Sequence, residues 1–178
     1  IILLSPLLLV LCIAIKLDSP GPILFCQKRV GIHKKQFMIY KFRTMSEPEK
    51  EPQLVAKCQK GQSTKTEMFL REHHLDELPQ LWNVLKGDMS FVGPRPERPE
   101  IARQYEEKIP EFSLRLAVKA GLTGYAQVYG KYNTTPLDKL KLDLLYITNQ
   151  SITLDLKILF YTVKIIFVPE STEGVDEN

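Results

Sequence analysis

Two adjacent carboxylates, Asp76 and Glu77, lie in a segment that also carries a short apolar periodicity and an arginine, Arg95, set between Pro94 and Pro96. These residue types suit phosphate chemistry. An ionised aspartate can serve as a nucleophile, and arginine can neutralise phosphate oxygens. Leu78, Leu81, Trp82 and Leu85 recur at helical spacing, so one face of the segment is expected to be buried and its register fixed. Asp76 then falls at the helix start, with Pro79 in the first turn, where a missing N–H is tolerated, and Gly87 as the C-terminal stop. A helix start favours an ionised carboxylate and a bound phosphate alike. It equally favours aspartate as a plain N-cap, so the dipeptide alone leaves nucleophile and cap both open. His73 and His74 precede the pair, but this chemistry demands no histidine.

The other cations are unevenly placed. Net charge is only +3, yet Lys28, Arg29, Lys34, Lys35, Lys41 and Arg43 crowd one early segment. Phosphates, anionic lipid headgroups or nucleic acid would suit such a cluster, and so would plain solvent. Cys12, Cys26 and Cys58 are odd in number and lack metal-ligand spacing, which disfavours a zinc site and a disulfide framework and fits a reducing compartment. The chain has no internal repeat, no low-complexity block, and no Walker or dinucleotide-binding glycine pattern, so ATP-type and NAD-type chemistry lose ground.

The elements that must position these residues follow from length and patterning. A chain of 178 residues can build one domain with a substantial core. Residues 1–15 are apolar except for Ser5, and the absence of an initial methionine suggests a fragment or a processed chain. As a helix they would cover roughly 22 Å, short of a hydrocarbon core of about 30 Å. A truncated spanning helix, a core helix and a re-entrant segment bent at Ser5-Pro6 all remain open, the last favoured somewhat by the proline. Ser19-Pro20-Gly21-Pro22 forbids continuing that helix. Residues 23–26 and 36–40 are expected to form a hairpin whose second strand buries Phe42 and turns Lys41 and Arg43 the other way. Residues 46–65 read as a mobile loop or lid, and 66–74 as a short helix leading to the acidic pair. Helices are expected from after Glu97 to about Glu107 and over residues 111–119 and 137–146, the last with Leu140, Leu144 and Leu145 inward. Gly121 and Gly124 permit a close backbone approach or a plain turn. Residues 152–168 are apolar but carry Asp155, Lys157 and Lys164, so they suit a membrane interface and a buried core equally.

Several motifs, in order, resemble bacterial sugar transferases, the monotopic phosphoglycosyl transferases that start glycan assembly on a polyprenol carrier. They are Ser19-Pro20-Gly21-Pro22, Gln27-Lys28-Arg29-Val30-Gly31, Lys41-Phe42-Arg43-Thr44-Met45, Leu75-Asp76-Glu77-Leu78-Pro79-Gln80, Asn83-Val84-Leu85-Lys86-Gly87-Asp88-Met89-Ser90 and Val92-Gly93-Pro94-Arg95-Pro96. Gly121-Leu122-Thr123-Gly124-Tyr125-Ala126-Gln127 and Leu154-Asp155-Leu156-Lys157 look like exopolysaccharide-type members. The resemblance implies transfer of a sugar 1-phosphate from a UDP-sugar to undecaprenyl phosphate with release of UMP. It implies Asp76 as the nucleophile of a covalent phosphosugar intermediate, Glu77 as its partner, and Mg²⁺ positioned by the pair. Lys41, Arg43, Arg71, Arg95 and Arg115 are the cations expected around the phosphates. A re-entrant helix broken at Ser5-Pro6 is implied too, and with it a monotopic place on the bacterial inner membrane, active site on the cytoplasmic face. Ala120 stands where members commonly have proline, and Tyr129-Gly130-Lys131 where an Asn-Gly-Arg-like stretch is common.

The expected fold class is therefore α+β: a mainly helical monotopic membrane domain with a small β-hairpin, a re-entrant N-terminal helix and amphipathic interfacial helices. Residues 1–16 would be the truncated membrane helix, 17–169 the catalytic domain and 170–178 an acidic, disordered tail. Expected partners are a UDP-sugar, undecaprenyl phosphate and the bilayer, with a homodimer left open and no nucleic acid. Two other readings compete: a soluble Mg²⁺-dependent phosphohydrolase, and a non-catalytic basic module for membranes or nucleic acid.

Overall fold

An apolar run that meets Ser19-Pro20 can stay helical only up to that point, and in the computed structural model helix α1 covers Ser5–Asp18. The structure describes residues 4–44, 64–130 and 134–167; the expected lid at 46–65, but for its last two residues, and the acidic tail fall outside them. The described chain divides into two compact units, one of residues up to Gln27 with Met38–Asn83, the other of Lys28–Phe37 with residues from Val84 onward.

In the first unit α1 packs Leu11 and Ile15 against Phe42 and Leu70, with Ile23, Leu75 and Leu78 around them. Strands β1 (Leu24–Val30) and β2 (Gln36–Phe42) pair as the expected hairpin, each longer than its apolar stretch suggested. Helix α2 (Lys65–Glu72) opens with a capping box: the Thr64 hydroxyl accepts from the Glu67 amide, and the Glu67 carboxylate accepts from the Thr64 amide. The acidic pair then sits in a 3₁₀ turn, Leu75–Gln80, that passes into helix α3 (Leu81–Lys86). Pro79 lies inside that turn and lacks the amide that a regular α-helix would use there. Gly87, at φ 89°, ends α3 as expected.

The apolar face proposed for this segment is buried only in part: Leu78 packs beside the core and Leu81 is half-buried, but the other two residues turn outward. Trp82 is 55% and Leu85 68% exposed, while Asp76, Gln80 and Asn83 point inward. Periodicity locates a stripe but does not say which solvent it meets, and here the polar stripe is the one held by the protein.

In the second unit β3 (Ser90–Val92) and β4 (Gly121–Thr123) form a parallel pair in register Ser90↔Gly121 and Val92↔Thr123, which no strand pattern announced. It is possible because glycines meet there backbone to backbone. A Cβ on Gly121 would lie 2.2 Å from the Gly93 amide nitrogen, and one on Gly124 2.2 Å from the Gly93 carbonyl oxygen. Helix α4 (Pro99–Lys108) matches the helix expected from after Glu97 to about Glu107. The expected helix at 111–119 is a 3₁₀ coil, Pro110–Ala117, whose three-residue repeat turns Phe112 and Arg115 inward together. Then come α5 (Tyr125–Tyr129), α6 (Pro136–Thr148) and α7 (Ile152–Phe167). On α6 the inward residues are Leu140, Asp143 and Tyr146, and Leu145 is half-exposed, a correction to the all-leucine face.

Val92, Tyr146 and Ile158 form the core of this unit. The Tyr146 hydroxyl donates to Asp155 at 2.8 Å, and burial together with that carboxylate pushes the phenol well above its ordinary pKa. Helix α7 buries Ile158 yet exposes Ile152, Leu156, Phe160 and Val163. No helix among the described residues is long and apolar enough to cross a membrane.

Gly121→Ala should force β3 and β4 apart and cost roughly 3 kcal/mol or more, at or above the top of the usual overpacking range. Urea unfolding at constant m-value checks this, and a loss below about 1 kcal/mol would show that the backbones can separate.

Candidate active site

Strand β2 delivers Lys41 to the acidic pair. Phe42 buries itself in the first unit's core, as alternation along the strand required, and Lys41 on the opposite side donates to Glu77 Oε1 at 2.6 Å. Both partners are mostly buried, so this ion pair is screened less than a surface pair would be. Asp76, beside Glu77, is only 8% exposed.

The strand and the acidic turn are registered by Asn83, which is fully buried. Its amide nitrogen donates to the Met38 carbonyl at 2.7 Å and its amide oxygen accepts from the Tyr40 amide at 3.3 Å. One side chain on α3 thus imitates a peptide group along β2. Asn83 appeared in the sequence only as part of a motif; its place on the same helical stripe as Asp76 and Gln80 was the available signal.

Arg43 is placed differently from Lys41. It donates to the Ser19 carbonyl at 2.9 Å, the Pro20 carbonyl at 2.8 Å and the Ser19 hydroxyl at 2.5 Å, and lies 3.9 Å from Glu67. The Ser19 hydroxyl in turn donates to Glu67 at 3.3 Å, and the Thr64 hydroxyl donates to Asp18. The end of α1, the start of α2 and the end of β2 are therefore tied through one polar knot. Arg71, on α2, has a buried Nη1 without a hydrogen-bond partner among the described residues. α2 packs against the acidic turn. The His73 ring lies 4.3 Å from the Phe69 ring, and His74 holds a left-handed backbone before the turn. Ser5 and Pro6 stand in the first turn of α1, so a bend there would involve residues before those described.

Arg95 and Arg115 belong to the second unit. The loop around Arg95 is held by its carbonyls: Pro94 accepts from the Gly121 amide at 3.0 Å, Arg95 from Arg115 Nη2 at 3.0 Å, Pro96 from Arg29 Nη1 at 3.1 Å, and Glu97 from the Val30 amide at 2.9 Å. Arg115 is 2% exposed and meets Asp143 at 2.6 Å and Glu97 at 3.3 Å, its guanidinium lying over the Phe112 ring. Lys139 also donates to Glu97. Burial pushes the Glu97 carboxyl up, but Lys139, Arg115 and Arg29 outweigh it and hold it below its ordinary value. Burial prevails at Asp143, raising its pKa despite Arg115 and Lys139. Sequence reasoning did not find Asp143, which lies among the leucines of α6.

Among the described residues no group of three or more His, Cys, Asp or Glu side chains could hold a metal. Asp76 and Glu77 are two. Mg²⁺ is commonly held by one or two protein carboxylates, with phosphates and water completing the shell, so the pair fits such an ion bound together with a phosphate substrate.

A family model described as bacterial sugar transferase matches residues 1–169. The UDP-N-acetylgalactosamine-undecaprenyl-phosphate N-acetylgalactosaminephosphotransferase of Aeromonas hydrophila is 42% identical over 168 residues, covering 92% of this chain and 40% of that protein. The UDP-glucose:undecaprenyl-phosphate glucose-1-phosphate transferase of Klebsiella pneumoniae is 44% identical over 169 residues, 92% of this chain and 36% of its own length. The protein of the same description from Caulobacter vibrioides is 45% identical over 168 residues, 90% of this chain and 62% of its own. The chain thus spans about two fifths of the first two relatives.

Asn83→Leu should leave the Tyr40 amide and the Met38 carbonyl without partners and cost roughly 2–4 kcal/mol, at the usual penalty for two unsatisfied groups. Chemical denaturation measures it, and a neutral substitution would mean that the strand does not depend on this side chain.

Proposed function

Because the chain belongs to the bacterial sugar transferase family, we propose that it transfers a sugar 1-phosphate from a UDP-sugar to undecaprenyl phosphate, releasing UMP. The observation that carries this reading at the residue level is the largely buried Asp76, beside a Glu77 held by Lys41 at 2.6 Å.

In the first step an Asp76 carboxylate oxygen attacks the phosphorus that bears the sugar. The bond from that phosphorus to the UMP oxygen breaks, UMP leaves with the electron pair, and an aspartyl phosphosugar remains. In the second step an oxygen of undecaprenyl phosphate attacks the same phosphorus and the Asp76 carboxylate leaves, giving an undecaprenyl diphosphate sugar. Both displacements occur at phosphorus, so the anomeric bond is untouched. The nucleophile needs no base because a carboxylate is ionised at neutral pH.

Lys41 fixes the orientation of Glu77 and so keeps the second carboxylate available beside the first. Asp76 and Glu77 would hold Mg²⁺, whose contribution when bound is to neutralise charge on the phosphates. Arg71, with a buried donor atom unpartnered among the described residues, and Arg95, on its braced loop, are the arginines we assign to phosphates. Arg43, also expected there, is assigned to holding the end of α1.

The membrane reading is part of the proposal. Helix α1 turns Leu9, Val10, Ile13 and Leu17 outward, and α7 does the same with Ile152, Leu156, Phe160 and Val163. Burying a side chain of this kind is worth roughly 1.5–3 kcal/mol, so a few together give a strong preference for lipid. The proposed arrangement is monotopic, with the helix re-entering at Ser5-Pro6 on the cytoplasmic side of the inner membrane, where nucleotide sugars are made. The relatives name two different sugars, glucose and N-acetylgalactosamine, so the sugar has to come from assay.

A panel of UDP-sugars, incubated with the membrane-extracted protein, undecaprenyl phosphate and Mg²⁺, should yield UMP and a lipid diphosphate sugar with one donor. Chelation should stop turnover, and Asp76→Asn should lower it by at least about 10³-fold, as loss of a nucleophile does. With donor alone, intact-protein mass spectrometry should find a sugar-phosphate adduct on the wild type and none on Asp76→Asn. Release of UDP, or of inorganic phosphate without lipid, would instead indicate a glycosyl transfer or a hydrolase.

A further inference from the structure

We infer that Asp143 is a positioning residue for Arg95, acting through Arg115 and the backbone of the loop that carries it. The inference rests on the reading above that the Arg95 side chain binds phosphate. Pro94 and Pro96 have no amide hydrogens, so the carbonyls are the main-chain handles beside Arg95. Four consecutive carbonyls, from Pro94 to Glu97, each accept a donor, and three of those donors come from strands: Gly121 on β4, Arg29 and Val30 on β1. The fourth, to the Arg95 carbonyl itself, is the Arg115 guanidinium.

That guanidinium is oriented by carboxylates on either side. Asp143 takes Nε at 2.9 Å and Nη2 at 2.6 Å, Glu97 takes Nη1 at 3.3 Å, and the Nη2 that reaches the Arg95 carbonyl is one that Asp143 grips. Asp143 is 1% exposed and grips Arg115 through hydrogen bonds, with Lys139 the next cation to act on it. A buried carboxylate kept on a leucine-lined helix costs desolvation that an apolar residue would avoid. Its return is directional: the guanidinium plane is fixed, and with it the carbonyl from which the Arg95 side chain projects.

The test is a double-mutant cycle on UMP release, run on the membrane-extracted protein with the donor found in the panel. Asp143→Asn should lower kcat/KM by about 10-fold and Arg95→Ala by more. In the Arg95→Ala background, Asp143→Asn should cost less than about 2-fold, because its effect passes through a side chain no longer there. A merely structural role would give the same loss in both backgrounds, and that result overturns the inference. Should Asp143→Asn fail to fold, Arg115→Lys takes its place: it keeps a cation beside Asp143 but lacks the fork that reaches both carboxylates and the Arg95 carbonyl. The same non-additivity with Arg95→Ala supports the inference, and additive losses remove it. If Arg95→Ala alone leaves UMP release unchanged, the phosphate-binding reading of Arg95 falls, and this inference with it. An absence of UMP release by the wild type would instead overturn the transferase reading.

Discussion

A loop that holds an arginine between two prolines gives up its own means of support. Residues 94 and 96 have no amide hydrogen to donate, so the segment cannot be stitched into a ladder from that side. Its carbonyls must be met by donors brought from elsewhere, and the second unit is organised to bring them. The glycine contact between β3 and β4 lets the Gly121 amide come within reach, the hairpin tip supplies Arg29 and Val30, and the 3₁₀ coil turns Arg115 inward. Even the buried acid on α6 and the one just ahead of α4 follow from this, since Arg115 cannot be buried without Asp143 and Glu97.

The first unit is governed by a related economy of polar groups. Its apolar residues divide between a small core around Phe42 and an outward set on α1 and α3, so hydrophobic packing alone leaves the relation of strand to helix loosely fixed. Directional contacts make up the difference. Arg43 and Glu67 gather the helix ends, Asn83 registers β2 against α3, and Lys41 aligns Glu77. Polar side chains here do the work of specification that interdigitating leucines do in a soluble bundle.

Much of this is legible in the sequence. The hairpin, the burial of Phe42, the Gly87 stop and the helices α2, α4, α6 and α7 follow from alternation, capping and glycine placement. The ordered motifs, from Ser19-Pro20 to Pro94-Arg95-Pro96, pointed to the family that the comparisons then supplied. What stayed hidden has a common cause. The outward turn of Trp82 and Leu85 could not be read from periodicity, which locates an apolar stripe without saying what it meets, and the same ambiguity left α7 undecided. The ion pairs of Arg115 could not be read from spacing because its carboxylate partners are distant in sequence, Asp143 lying 28 residues away. The three-residue strands β3 and β4 are too short to show alternation, and only their glycines hinted at a close approach.

Asn83 has one further effect. A two-stranded sheet has a row of unpaired groups on each outer side, and such a row invites a strand from another chain. By occupying the Met38 carbonyl and the Tyr40 amide together, the Asn83 amide fills the slot an incoming strand would need first. The side chain that sets the register of the acidic turn therefore also blunts an edge, which matters for a chain that exposes this many large apolar residues.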